Sequence, residues 1–484
     1  MKKSNFDKFV DEGFNHIPVF KEIVVDTDTA LGLYLKLGDK PYSYLFESVQ
    51  GGEKWGRYSI IGLPASTIVK VFDYEVHIES DKRSLEKEIV EDPLTWIEEF
   101  QKQYKVPKID VLPEFNGGMV GYFGYEIIRY IEPKLSNISK PDEIEVADIL
   151  LMVSNDLVVF DNLLNKAFVI THINPKESTY EEAINNINQI KKQIGKPLTI
   201  NKNVKSNINE SDFVSSFGES NYKKTVEKIQ QYIKAGDVMQ VVPSQRLSCK
   251  FNAPPIELYR QLRRLNPSPY MYYLNLQDVV IVGSSPEILT RVDSDRIATV
   301  RPIAGTRSRG KNQKEDIELK QDLLSDEKEI AEHLMLIDLG RNDLGRIAET
   351  GTVKLTDKMF VENYSHVMHI VSNVECKLKE NITPIDVLKA TFPAGTLSGA
   401  PKVRAMEIID EFEPIKRNIY SGAIGYISWH GCMDMAIAIR TAVIKNEILY
   451  VQAGAGIVYD SVPQSEWDET MHKAMALIKA AKSI

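Results

Sequence analysis

A chain of 484 residues, 43% hydrophobic and 26% charged, has material for a large core and the ordinary composition of a globular protein, roughly two to three domain-lengths long. A formal net charge of −9 without any block of Lys or Arg argues against a nucleic-acid partner. Apolar runs stay short of a membrane span, Phe6, Asp7 and Phe9 stand where a signal segment would be apolar, and Cys249, Cys376 and Cys432 are unpaired in spacing, so a reduced, cytoplasmic chain with no membrane contact is expected.

In chain order, residues 1–200 carry short strand-like runs at Ile23 to Val25, Ser43 to Glu47, Ser66 to Phe72 and Val146 to Val159, with few long helices. The stretch Lys196 to Asp212 is polar and rich in Asn, Lys and Ser. It reads as a linker between an N-terminal region, 1–200, and a C-terminal region, 213–484. Tyr222 to Ala235 has helical spacing and ends at Gly236. Met271 to Leu276 and Val279 to Gly283 read as strands joined by the Gln277-Asp278 turn. Near the end, Ala423 to Trp429, Met435 to Ile444 and Ile448 to Ala453 read as three strands with turns at His430-Gly431 and Lys445-Asn446. Connections that short make antiparallel neighbours. The fold class is therefore α+β, with large antiparallel β-sheets packed against helices, and a doubly wound nucleotide fold is disfavoured.

Two ExxE pairs carry the first chemical signal. Asp326 is placed to cap a helix with Glu329 at the capping-box position, and Glu329 and Glu332 then share one face. The final helical segment repeats the spacing with Glu466 and Glu469. Two such helices could hold one hard divalent cation through carboxylate oxygens, and the same spacing also fits solvated surface glutamate. Glycine-rich turns are the second signal, at Ala304-Gly305-Thr306-Arg307, Ala394 to Gly399 and Ala453-Gly454-Ala455-Gly456. Their backbone amides can approach an anion, although none fits a phosphate-loop pattern. His366 and His369 form an HxxH within the alternating run Tyr364 to Val374, which would send the two rings to opposite faces of a strand and disfavours a shared metal. Arg440 lies in the apolar run Ala436 to Thr441 and needs either a structural carboxylate or a bound anion.

As a set, Arg301-Pro302-Ile303-Ala304-Gly305-Thr306-Arg307, Glu332-His333-Leu334-Met335-Leu336, Phe392 to Lys402 and Gly454-Ala455-Gly456 resemble the chorismate-utilising enzymes, and within them component I of anthranilate synthase. The resemblance is strong from Asn221 onward and looser before it. It implies Mg²⁺ held by Glu332 and Glu469 with support from Glu329 and Glu466. It implies chorismate bound by Gly305, Thr306, Tyr420, Arg440, Gly454, Ala455 and Gly456, with His369 and Thr396 beside the reacting ring and His369 handling protons. Ala304 stands where aminodeoxychorismate synthases place a lysine nucleophile, and Gln240 where isochorismate and salicylate synthases place a water-activating lysine. Both substitutions point to direct amination by ammonia, followed by loss of pyruvate.

The segments Leu45-Phe46-Glu47-Ser48 and Asn266 to Met271 resemble the family's tryptophan site, with Ser48, Pro269, Tyr270 and Met271 touching the effector; Phe46 departs from the usual leucine. No cysteine sits in a GxCxG setting. The resemblance thus implies ammonia from a separate glutamine amidotransferase subunit (component II), in a heterotetramer, and feedback inhibition by L-tryptophan.

Overall fold

The structure is a computed structural model and describes residues 1–48, 56–80, 83–136, 140–198, 205–363 and 367–484. Two antiparallel sheets of 11 and 12 strands lie face to face, with helices outside both. Strand alternation explains the layering. Tyr44, Tyr272 and Ile281 point inward from the first sheet to meet Val120, Tyr122 and Ile424 of the second. Their neighbours Leu45, Tyr273 and Val282 point outward, beneath the helices Ala30–Leu37, Tyr180–Ile194, Pro255–Leu265 and Pro463–Lys482. On the far side, Met119, Leu151 and Ile427 are covered by the helices Pro93–Lys102, Glu327–Gly345 and Pro384–Thr391.

Both sheets run without a break across the two halves of the chain. Ser43–Glu47 pairs with Tyr270–Asn275, and Gly118–Phe123 pairs with Ala423–Ser428. Of the polar stretch after residue 195, residues 199–204 lie outside the described residues, and the remainder forms only the short turn of helix Glu210–Asp212.

Several expected elements are present with shifted bounds: the helix is Glu219–Lys234, with Gly236 at φ 84°, and the hairpin is Tyr270–Asn275 with Val279–Ser285. The first strand is Ile17–Val24. Two expected strands are each two. The run Val146 to Val159 divides at Asn155 into Ile149–Ser154 of the second sheet and Asp156–Asp161 of the first. Met435 to Ile444 divides into Met433–Ile437 of the second sheet and Thr441–Lys445 of the first. Arg440 is therefore not a strand residue. It occupies the crossing between sheets, in a left-handed conformation with φ 50°. At the second crossing the apolar Ala438-Ile439 carries the run on to Arg440, so alternation gives no sign of the break, whereas the polar Ser154-Asn155-Asp156 marks the first.

Candidate active site

Three loops and two helix starts converge at one end of the sandwich. The strand Ile303–Ser308 pairs with Val367–Lys377, and its register slips between Ala304 and Thr306. Gly305 forms this bulge at φ 68°, a conformation costly for any residue with a Cβ. The bulge turns the Gly305 carbonyl toward His369, whose Nδ1 donates to it at 3.0 Å and lies 3.1 Å from Thr306 Oγ1. Nδ1 therefore carries the proton and Nε2 is the basic nitrogen. Burial lowers the pKa of the ring, the Arg440 charge lowers it further, and the imidazole is neutral at ordinary pH. His366 lies outside the described residues.

Thr396 sits in the short helical turn Gly395–Ser398, and its hydroxyl donates to Glu287 Oε1 at 3.0 Å. Burial raises the Glu287 carboxyl to about 8, against the pull of Thr396, Arg440 and Lys473. It is an acid at neutral pH. Motif spacing gives Glu287 no role; a carboxylate directly before the apolar strand Ile288–Val292 is the one signal it leaves in the sequence.

The strand Gln240–Val241 pairs with Gly399–Ala400, and Gln240 Nε2 donates to Glu332 Oε1 at 3.1 Å. A Cβ at Gly456 would lie 2.7 Å from that same amide nitrogen, and a Cβ at Gly454 would lie 3.0 Å from the Tyr420 hydroxyl. The two glycines keep the space between Gln240 and Tyr420 open. Ala455 contributes differently from the expectation that its amide binds substrate: its N–H is taken by Pro243 O at 3.2 Å and the residue is buried. Burial raises the Tyr420 phenol to about 12, which keeps it a donor.

Arg440 stands at the centre of these groups. Its charge acts on Tyr420, Glu287, Glu469 and His369, and burial lowers its pKa. Among the described residues no carboxylate comes within ion-pair distance of its guanidinium. Of the two alternatives open from sequence, a structural carboxylate is absent and an anion-binding cation remains.

The glutamate pairs flank the same loop. Asp326 caps the helix Glu327–Gly345 by accepting from Lys328 and Glu329 amides, but Glu329 does not close a capping box; its carboxylate lies 3.4 Å from Arg307 Nη1. Glu469 lies 2.6 Å from Lys473 Nζ, which also donates to Gly454 O at 3.0 Å. Burial, together with repulsion from the neighbouring glutamate, raises the pKa of Glu329 and of Glu466. Among the described residues no three His, Cys, Asp or Glu side chains form a ready-made metal cage. The donor chemistry nevertheless fits a hard divalent cation: four carboxylates on two helix starts, in two pairs strained by like charge.

Ser48, Pro269, Tyr270 and Met271 line a separate cavity of about 850 Å³. Pro286 and Ile288 line it too, while Glu287 between them turns to Thr396. All three cysteines are buried thiols, and burial raises Cys249 to about 12 and Cys376 to about 11, so neither is a nucleophile. No helix among the described residues is long and apolar enough to cross a membrane.

A family model described as chorismate binding enzyme matches residues 45–479. Anthranilate synthase component 1 of Pseudomonas aeruginosa is 54% identical over 484 aligned residues, covering 99% of this chain and 98% of that one. The crystal structure of anthranilate synthase component I from Streptococcus pneumoniae superposes with a TM-score of 0.79 at 39% identity, over 89% of this chain and 95% of that one. The menaquinone-specific isochorismate synthase of Escherichia coli superposes at 0.71 over 99% of this chain and 98% of its own, but at 18% identity, a likeness of fold alone.

Proposed function

The chain belongs to the chorismate-binding enzymes, in the branch of anthranilate synthase component 1, and we propose that it aminates chorismate at C2, expels the 4-hydroxyl and releases pyruvate to give anthranilate, the first step of tryptophan biosynthesis. One observation carries the reading: a half-buried Arg440 guanidinium with no carboxylate partner among the described residues, surrounded by Glu287, His369, Tyr420 and Glu469. A largely desolvated cation in that position calls for an anionic ligand, and chorismate is a dicarboxylate.

The geometry supports the following roles. Arg440 and the Tyr420 phenol bind a substrate carboxylate in the space that Gly454 and Gly456 keep open. Glu287, protonated at neutral pH and oriented by Thr396, delivers a proton to the departing 4-hydroxyl. His369, neutral and held through Nδ1 by Gly305, takes the C2 proton at Nε2 as pyruvate leaves and the ring becomes aromatic. Glu332 and Glu469, with Glu329 and Glu466 in support, would hold Mg²⁺, which supplies positive charge against the ring carboxylate when bound. Ala304 offers no amine to attack the ring, and Gln240 is a hydrogen-bond donor to Glu332 and no base, which favours ammonia as nucleophile over a lysine or water.

Ammonia comes from a separate glutamine amidotransferase subunit in this reading, because none of the three buried cysteines suits glutamine hydrolysis. Tryptophan occupies the cavity lined by Ser48, Pro269, Tyr270 and Met271 and inhibits. Donor exchange tests the scheme. The purified chain should turn over with ammonium and Mg²⁺, stop on adding a chelator, and show no turnover with glutamine until the second subunit is added. Turnover with glutamine alone would contradict it, and an activity unmoved by millimolar tryptophan would remove the regulatory part.

A further inference from the structure

Arg417, 2% exposed and following the helix Lys402–Phe412, is with Arg246 one of the two arginines most fully buried among the described residues. Its ion partner is Glu413, 5% exposed, which accepts from Arg417 Nη2 at 2.7 Å and from Nε at 3.0 Å. A buried pair of this kind is weak evidence for stability, because desolvation offsets most of the attraction. What the pair touches is more informative. Arg417 Nη1 donates to Leu397 O at 2.8 Å, on the residue next to Thr396. Nη2 donates to Val242 O at 2.7 Å, two residues beyond Gln240. The guanidinium also lies over the Tyr125 and Tyr420 rings, at 4.7 and 5.6 Å from their centroids. Glu413 Oε1 accepts from the Ser244 amide at 2.6 Å and its hydroxyl at 2.8 Å, and Ser244 is the strand partner of Gly454. The Arg417 amide donates to Glu126 Oε1 at 3.0 Å, tying in the N-terminal region.

Four walls of the active site thus meet at one buried pair, three of them at Arg417 and the fourth through Glu413. We propose that Arg417, paired with Glu413, is a positioning residue that fixes the distances between the Thr396 turn, the Gln240 strand, the Tyr420 ring and the Gly454 loop. The proposal rests on the catalytic reading given above. Two carbonyls from separate segments are held by two different nitrogens of one rigid plane, which is a spacing function that a single ammonium cannot reproduce. Thr396 in turn orients Glu287, so a shift of this plane reaches the proton donor.

The test is steady-state kinetics of Arg417→Lys with ammonium as donor, alongside thermal unfolding of the same preparations. Lysine keeps the charge beside Glu413 but cannot span Leu397 O and Val242 O. The expected result is a fall in kcat on the order of 100-fold per folded molecule, the size that an ångström of misplacement costs, with a raised chorismate KM. Arg417→Met combined with Glu413→Gln removes the pair without stranding a charge and keeps an acceptor for Ser244. It should fold and show the same kinetic loss. Activity that falls only in proportion to the folded fraction, with kcat per folded molecule and KM unchanged, would overturn the proposal. A wild-type chain making a different product from chorismate would overturn the reaction assigned above, and the same comparison on that product would still decide the role of Arg417.

Discussion

At Arg440 the backbone leaves one sheet for the other with φ 50°, and its carbonyl accepts from the Ser284 amide at 3.1 Å while the guanidinium faces Glu287, Tyr420 and Glu469. Replacing it by glutamine removes the charge and keeps a polar head. The loss of a charge-assisted hydrogen bond, about 1.5–3 kcal/mol, should lower kcat/KM for chorismate by roughly 10- to 100-fold, mainly through KM. An unchanged KM would mean that the substrate carboxylate lies elsewhere. Glu287 gives a pH prediction. Its carboxyl, raised to about 8 by burial, is the acid form below that pH and loses its proton as pH rises through it. With ammonia supplied by the second subunit, kcat should therefore decline above about pH 8, and Glu287→Gln should abolish that limb together with most of the turnover, roughly 10²–10⁴-fold. With free ammonium the supply of ammonia rises while the acid form falls, and the profile should be bell-shaped. Residue identities carried part of this: His369 and Arg440 both stood out in the sequence, whereas no motif gives Glu287 a role. What the sequence withheld was burial and partnership. Nothing in Ser284-Ser285-Pro286-Glu287 says that the carboxyl is protonated, and nothing in the sequence around Glu413 and Arg417 marks them as a buried pair.

Elements were legible where the chain stays within one sheet. The hairpin Tyr270–Asn275 with Val279–Ser285 and the helix before Gly236 lie close to their sequence bounds, because turn residues and glycine mark their ends. The same reading merged strands where the chain changes sheets, at Asn155 and at Ala438 to Arg440: neither run holds a glycine or proline, although the polar Ser154-Asn155-Asp156 marks the first break. The bulge at Gly305 is the element on which the role proposed for His369 depends. A Cβ there would sit 3.1 Å from both Glu329 Oε2 and Leu323 Cδ1, in a left-handed conformation. Gly305→Ala should cost about 1–2 kcal/mol of stability and, by moving the carbonyl that holds His369 Nδ1, lower kcat by more than the folded fraction falls. Equal losses in both would assign the glycine to folding alone.

Across the whole molecule the two sheets are also joined away from the active site, where His16 and His172 stack with ring centroids 4.8 Å apart and Trp429, from the second sheet, meets His16 at 5.1 Å. Both histidines are buried, and burial lowers His16 well below its ordinary value and His172 to about 4. Between the unfolded value near 6.5 and about 4, the unfolded chain takes up a proton that folded His172 refuses, so its share of the stability falls as pH drops through that window and is constant above it. The His172 contribution should approach roughly 3 kcal/mol, read as the difference between wild type and His172→Phe in the change of unfolding free energy between pH 7 and pH 4, since Glu287 and Glu126, both raised to about 8, act in the opposite sense over that range. The same change in both proteins would place the acid sensitivity elsewhere. At this scale the antiparallel α+β architecture was readable from short connections and alternation, whereas the continuity of both sheets across the chain was not, since pairing between Ser43–Glu47 and Tyr270–Asn275 leaves no local mark in either segment. The catalytic assignment joins all three scales, and product identification tests it most directly. Incubating the purified chain with chorismate, Mg²⁺ and ¹⁵N-ammonium at alkaline pH, then resolving products by chromatography and mass, should give ¹⁵N-anthranilate and pyruvate in equal amounts. Aminodeoxychorismate or isochorismate in their place would contradict the account, and would show that Ala304 and Gln240 do not set the reaction's course.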